Sequence, residues 1–312
     1  MFEIRRYTAA DEAVWNKFVA QSKNGTFLFN RAYMDYHSHR FNDFSLLFHK
    51  NNRLFAVMPA HRCDDTFCTH LGLTYGGLIM GYDATAADVV VLFEELNEYL
   101  QSAGFRKVVY RSIPWVYHRL PSEEDLYAMF WKCHPHIKRR MAGTVIAIDR
   151  NLTWRKDHRR RLQQAHSKGV TVKADASLDE FWPLLESNLQ QRFAASPVHS
   201  LEEIKLLKSR FPDSIIQYSA YLDGQIIGGV TFYVMGHVLH GQYSSTNDIG
   251  KQSGAMEAIY EQVLYHDFRH CSYLDFGTSN EEGGRVLNEG LIAHKEGYGG
   301  RTVCYDTYEW EL

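Results

Sequence analysis

SIIQYSAYLDGQIIGGVTFYVMGHVLHGQYSS, residues 214–245, decides the fold. Three runs rich in β-branched and aromatic residues are separated by Asp223-Gly224 and by Gly236. An Asp-Gly pair between alternating apolar segments is a strong two-residue hairpin signal, so the stretch reads as a three-strand antiparallel meander. Working outward, helical spacing predicts helices over 178–195 and 201–211 before the meander. After it, Met256, Ile259, Val263 and Leu264 share one face of a helix expected over 253–268, and SYLDFG (272–277) supplies the next strand.

The first half has the same order of elements. WNKFVAQS (15–22) is a short helical pattern. FSLLFHK (44–50), RLFAVMPAHRC (53–63) and TFCTHLGLTYGGLIM (66–80) read as three strands joined by Asn-Asn and Asp-Asp turns. A stripe of Val89, Leu92, Phe93, Leu96 and Leu100 marks a helix ended by Gly104, and KVVYRSI (107–113) is a further strand. The chain is therefore expected to be an α/β protein (α+β, mixed sheet) made of two copies of one plan, residues 1–150 and 151–312. No Pro-rich or Gly/Ser-rich linker divides them, which predicts packed domains.

With 312 residues, 45% of them hydrophobic, the chain can build two ordinary cores. No run approaches the roughly 18 to 20 apolar residues of a spanning helix, and MFEIRRYTAADEAVW lacks a signal peptide's apolar segment. Five scattered cysteines without CxxC spacing suit a reducing compartment, so a cytoplasmic location is expected. A net charge of −3 gives no global attraction to DNA. The one concentrated basic run, Trp154 to Arg161 with Lys168, reads either as a solvated helix or as a phosphate-recognising one. His61, Cys63, Cys68 and His70 flank the Asp64-Asp65 turn, but their spacing matches no zinc pattern and no metal is expected.

LDFGTSNEEGGRVLNEGLIAHKEGYGGR, residues 274–301, starts like a buried strand and then holds seven glycines, too many for a helix interior. Asp275-Phe276-Gly277, Gly283-Gly284 and His294-Lys295-Glu296-Gly297-Tyr298-Gly299-Gly300 are similar to the closing D-F-G and Phe-Lys-x-x-Phe-Gly-like motifs of the Fem (FemABX-type) peptidyl and aminoacyl transferases. The repeated plan itself resembles a tandem of GNAT acyltransferase domains. For residues 1–150 the resemblance lies in the architecture alone. It implies that the last strand, about 301–310, leaves the second domain to pair with the first. It also implies that the fourth and fifth strands of the second domain splay to admit an acyl donor.

The resemblance places Lys295 as the partner of the reacting carbonyl, with Asp275 and Glu289 as candidate proton acceptors. Donor-binding candidates are Gln242, Tyr243, Ser244 and Ser245 on the fourth strand, with Phe276 and Gly277 at the end of the fifth. Lys251-Gln252-Ser253-Gly254-Ala255-Met256 partly matches the pyrophosphate loop of acyl-CoA-using GNAT enzymes, which adds Gly250, Lys251 and Gly254; Met256 departs from the pattern. Arg31, Tyr36, His37 and Arg40 form a polar, aromatic cluster suited to an acceptor. The expected activity is N-acyl transfer, acetyl or aminoacyl, by direct attack of an amine on a thioester or ester. The donor would be acyl-CoA or aminoacyl-tRNA, and the acceptor a small-molecule or nucleotide-linked amine such as a cell-envelope or polysaccharide precursor. The alternative is a non-catalytic tandem module that binds a phosphorylated precursor or a protein partner. A channel filled by Phe232 or Met256 would favour that second reading.

Overall fold

The structure, a computed structural model, describes residues 1–150 and 153–312. It divides into two compact units: Met1–Ala142 with Asn280–Val286 and Cys304–Leu312, and Gly143–Ser279 with Leu287–Val303. The division thus falls before the boundary expected at 150/151, which abuts residues outside the described ones. No helix among the described residues is long and apolar enough to cross a membrane.

In the first unit, Glu3–Arg6, Leu46–Lys50, Arg53–Met58 and Ile79–Met80 form an antiparallel sheet. Two strands expected as continuous are broken. RLFAVMPAHRC divides into Arg53–Met58 and His61–Cys63 around Pro59, which has no N–H to give a ladder. TFCTHLGLTYGGLIM keeps only Thr66–Cys68 and Ile79–Met80, with His70 at φ +32° between them. Thr66–Cys68 pairs in parallel with Lys107–Arg111, and Thr307–Glu311 pairs antiparallel with the same strand. Trp310 lies in this unit's core, within 6.5 Å of Phe93 and 6.1 Å of Tyr110 between ring centres.

Three histidines are buried side by side in this unit: His37, His61 and His70, with ring centres 5.6 Å apart for both His37–His70 and His61–His70. Burial, then Arg111, pushes His61 down to about 4; burial, then the neighbouring histidines and Arg31, pushes His70 down to about 3. An unfolded histidine binds its proton below about pH 6.5. Between that pH and 4 the unfolded chain therefore holds protons that the folded one refuses, and stability must fall as pH falls. Urea unfolding of the full chain is expected to give a plateau above pH 6.5 and a decline of up to about 1.4 kcal/mol per pH unit per histidine below it. A flat profile from pH 7 to 4.5 would show that these rings do not stay neutral.

In the second unit we label β1 Thr171–Ala174, β2 Ile215–Leu222, β3 Gln225–Met235, β4 Val238–Thr246 and β5 Tyr273–Thr278. The helices are α1 Lys156–Lys168, α2 Leu178–Phe193, α3 Leu201–Arg210, α4 Asp248–Ser253, α5 Ala255–Gln262 and α6 Glu289–Glu296. β1 to β4 form an antiparallel meander and β5 joins β4 in parallel. The β2–β3 hairpin turns at Asp223 (φ +52°) and Gly224 (φ +76°), the positive-φ pair that fits the twist of the strands. The helix expected over 253–268 begins two residues late and changes geometry before its end. Gly254 takes φ +77° between α4 and α5, and the segment Val263–Asp267 continues in π geometry. Leu239, Phe232, Ile259 and Leu274, all fully buried, anchor the core under the sheet.

Candidate active site

β4 and β5 pair at Val238–Tyr273, Leu239–Leu274 and His240–Asp275, and then part. Each is claimed by a different neighbour: β4 stays on β3 as far as Thr246, and β5 follows the strand at Gly143–Ala147. The gap opens into a cavity of about 350 Å³. Gly241 and Ser244–Thr246 of β4 and Phe276 of β5 form its floor. α2 contributes Leu185, Asn188 and Leu189; α5 contributes Met256 and Tyr260; α6 and its end contribute Leu291, His294, Lys295 and Tyr298. Beyond His240 the β5-facing edge of β4 has no ladder partner there, so it offers backbone groups to an extended ligand.

Among the described lining residues, Lys295 is the cavity's cation. It lies in the last turn of α6, 8% exposed, and its ammonium donates to the Gly277 carbonyl (3.0 Å) and the Thr278 carbonyl (2.8 Å). The D-F-G strand end builds that seat. Asp275, fully buried, accepts from the Gly277 N–H through Oδ1 (2.7 Å) and pairs through Oδ2 with His240 Nδ1 (3.0 Å). Gly277 turns at φ +70°, which a side chain would resist. An ammonium has three N–H donors, so one remains for a ligand. Burial pulls Lys295 down to about 8, against the raising influence of Asp275.

A second buried group lies behind the cavity wall and was not legible in the sequence. Glu257 Oε1 meets His158 Nδ1 at 2.9 Å and accepts from the Tyr298 hydroxyl at 3.1 Å, with Arg161 at 3.6 Å. Burial works to raise the Glu257 carboxyl, but the His158 hydrogen bond and its other partners bring it below its ordinary value. His294, 4.9 Å from His158 between ring centres, is pushed down to about 4 by burial and by that neighbour. It therefore faces the cavity uncharged at neutral pH. Trp154, His158, Leu162 and Ala165 recur at helical spacing, the one signal that could have revealed an inward face within the basic run.

Of the expected donor residues, Ser244, Ser245 and Phe276 line the cavity, and Gly277 supplies a carbonyl to Lys295. Gln242 and Tyr243 do not line it; the Tyr243 hydroxyl is held by the His199 ring and backbone N–H instead. Asp275 is a support for the lysine's seat, closed off from the cavity, and Glu289 is exposed in the first turn of α6. Neither is placed to take a proton from a ligand there.

At the expected pyrophosphate loop both glycines are close-packed. A Cβ on Gly254 would lie 2.2 Å from the Arg161 carbonyl oxygen, and one on Gly250 would lie 2.0 Å from the Ile227 carbonyl oxygen. That close approach of backbone requires glycine at both positions. Lys251 is ion-paired with Asp248 at 2.8 Å. In the basic run, Arg155 forms a two-pronged pair with Asp157, and His158 and Ala165 point inward. The acceptor cluster belongs to the first unit and is partly internal: Arg31 and His37 are 4% and 2% exposed, while Tyr36 is half-buried and Arg40 exposed. Arg31 bonds Asp35, Asp43 and Ser45 and lies over the Tyr7 ring, while Tyr36 stacks beside His37. Arg40 donates to the neighbouring His39 ring.

Residues 153–283 match the family model described as an acetyltransferase (GNAT) domain. A search of the curated proteins finds no match. Among solved structures, FemX is similar with a TM-score of 0.70 at 10% identity, over 99% of this chain and 97% of that one. A tandem GNAT protein from the clavulanic acid biosynthesis pathway gives 0.57 at 13% identity, over 100% and 98% of the two chains. The C-terminal domain of a putative lysylphosphatidylglycerol synthetase from Agrobacterium fabrum gives 0.62 at 13% identity, over 96% and 91%. The fold is that of the tandem GNAT proteins.

Proposed function

We propose that the second unit transfers an acyl group from a thioester or ester to an amine, with Lys295 holding the carbonyl oxygen as it becomes an oxyanion. One observation carries this reading: a buried ammonium, fixed by two carbonyls and with a donor to spare, in the wall of a cavity between diverging strands. The amine would attack the carbonyl carbon directly, and the lost proton would pass to water or to the leaving group. None of the five cysteines lines the cavity, so a thioester intermediate on the enzyme is not part of the proposal. The donor's arm, acyl-CoA or another activated carrier such as aminoacyl-tRNA, would run along the open edge of β4. The acceptor, by this reading, is a small-molecule or nucleotide-linked amine of the kind used in cell-envelope synthesis, and the location is the cytoplasm.

The acetyltransferase domain match supports a transferase over a silent binding module. So does the open channel: Phe232 is buried in the core, and Met256 lines the cavity without filling it. Thiol release from a panel of acyl thioesters with small amines tests the proposal. Lys295 must be charged to act, so its contribution is present below pH 8 and lost as pH rises through about 8. The amine must be neutral, which works the other way, and kcat/KM should be bell-shaped. Lys295→Arg, charged throughout, should lose the alkaline limb even though its rate is lower. An alkaline limb unchanged in that variant would place the titrating group elsewhere.

A further inference from the structure

We infer that the acyl group this cavity takes is uncharged and longer than acetyl; the inference rests on the acyl-transfer reading and narrows it. Among the described residues no carboxylate lines the cavity, and Lys295 is the one formal charge there at neutral pH. A donor bearing an α-ammonium would set a second cation one carbon from the carbonyl that Lys295 holds, with no counter-charge in the wall. The two carboxylates packed behind the wall are already engaged, Asp275 by His240 and the Gly277 N–H, Glu257 by His158 and Tyr298. The aromatic rings beside Lys295 are partly engaged with one another: Phe276 stacks on Tyr298 with centres 5.6 Å apart, and Tyr260 meets both in T-shaped contacts at 5.0 and 4.9 Å.

A carboxylate-bearing acyl group is disfavoured for a different reason. Two of the three Lys295 donors are taken by backbone carbonyls, leaving one for the reacting oxygen and none for a second anion. Size argues for a chain. Liquid water has about 30 Å³ per molecule, so a methyl of similar bulk would fill about a tenth of the 350 Å³ available. Leu185, Leu189, Met256 and Leu291 give the remainder an apolar lining.

The test uses the full chain and unreactive ketone analogues of acyl-pantetheine, in which a methylene separates sulfur from the carbonyl, with binding read by calorimetry. Affinity is expected to rise at least tenfold from the acetyl to the hexanoyl analogue. The glycyl analogue, whose ammonium replaces the methyl of the propanoyl one, is expected to bind at least tenfold more weakly than that isostere. Lys295→Met should narrow the glycyl–propanoyl gap, and Leu189→Trp should weaken the hexanoyl analogue while sparing the acetyl one. A glycyl or succinyl analogue that binds as tightly as its neutral counterpart, or affinity that falls with chain length, overturns the inference and leaves acyl transfer standing. If no analogue binds, or binding is indifferent to Leu189→Trp, the cavity is not the donor site and both readings fall.

Discussion

Lys295→Ala is expected to lower kcat by about a hundred- to a thousandfold with little change in KM, the loss typical of one oxyanion donor. The direction follows from when the contact matters. A carbonyl oxygen in the ground state accepts one hydrogen bond weakly; as the amine adds, that oxygen gains charge, and an ammonium already fixed on Gly277 and Thr278 needs no reorganisation to meet it. Because truncation also leaves a void beneath the strand end, Lys295→Met is the companion variant, keeping most of the side chain's bulk while removing its charge; the two carbonyls lose their donor in both variants. Both should fold, as judged by near-ultraviolet circular dichroism. Steady-state kinetics on a thioester that the wild type turns over decides the matter: turnover near wild type in Lys295→Met would reduce the lysine to a strut for the strand end.

Gly254→Ala is expected to destabilise the chain by more than about 2 kcal/mol, whatever donor the protein uses. A left-handed backbone alone costs a non-glycine residue roughly 1–2 kcal/mol. Here the added methyl would also lie 2.2 Å from the Arg161 carbonyl oxygen, so α1 and the α4–α5 joint must move apart. Lys251→Ala, which removes only a surface ion pair with Asp248, should change neither stability nor activity measurably. Denaturant unfolding of Gly254→Ala measures the joint's packing, and a stable Gly254→Ala protein would show that the clash is relieved at no cost. Donor binding by Lys251→Ala asks the separate question of an anion cradle, which weakened binding in that variant would reveal.

The meander of the second unit was legible because its signals are local: Asp223-Gly224 adopts the paired positive φ its residue types favour. The start of the helix after it was set two residues early, because the contact that holds Gly254 in a left-handed joint comes from Arg161, 93 positions earlier in the chain. Lys295 was found through its motif. Periodicity would have sent it to the surface, since lysines are almost never buried unless paired. The same bias hid the pair His158 and Glu257, which meet across 99 positions of sequence, His158 from a helix rich in basic side chains. Arg31 and His37 looked like a surface for an acceptor because their local pattern is polar; Asp43 and Ser45 from beyond the helix fold that polarity inward.

The pairing of Thr307–Glu311 with Lys107–Arg111 bears on the order in which a ribosome can deliver this protein. Domains usually fold as units, the N-terminal one first. Here the first unit lacks the strand carrying Trp310 until the whole of the second has been synthesised, because residues 143–279 and 287–303 are threaded between its parts. During translation the nascent first unit exposes the flank of Lys107–Arg111, an unpaired strand edge of the kind that invites wrong partners. The second unit, by contrast, has its meander and its β5 in hand by residue 278. The later-encoded half is thus the earlier to be complete.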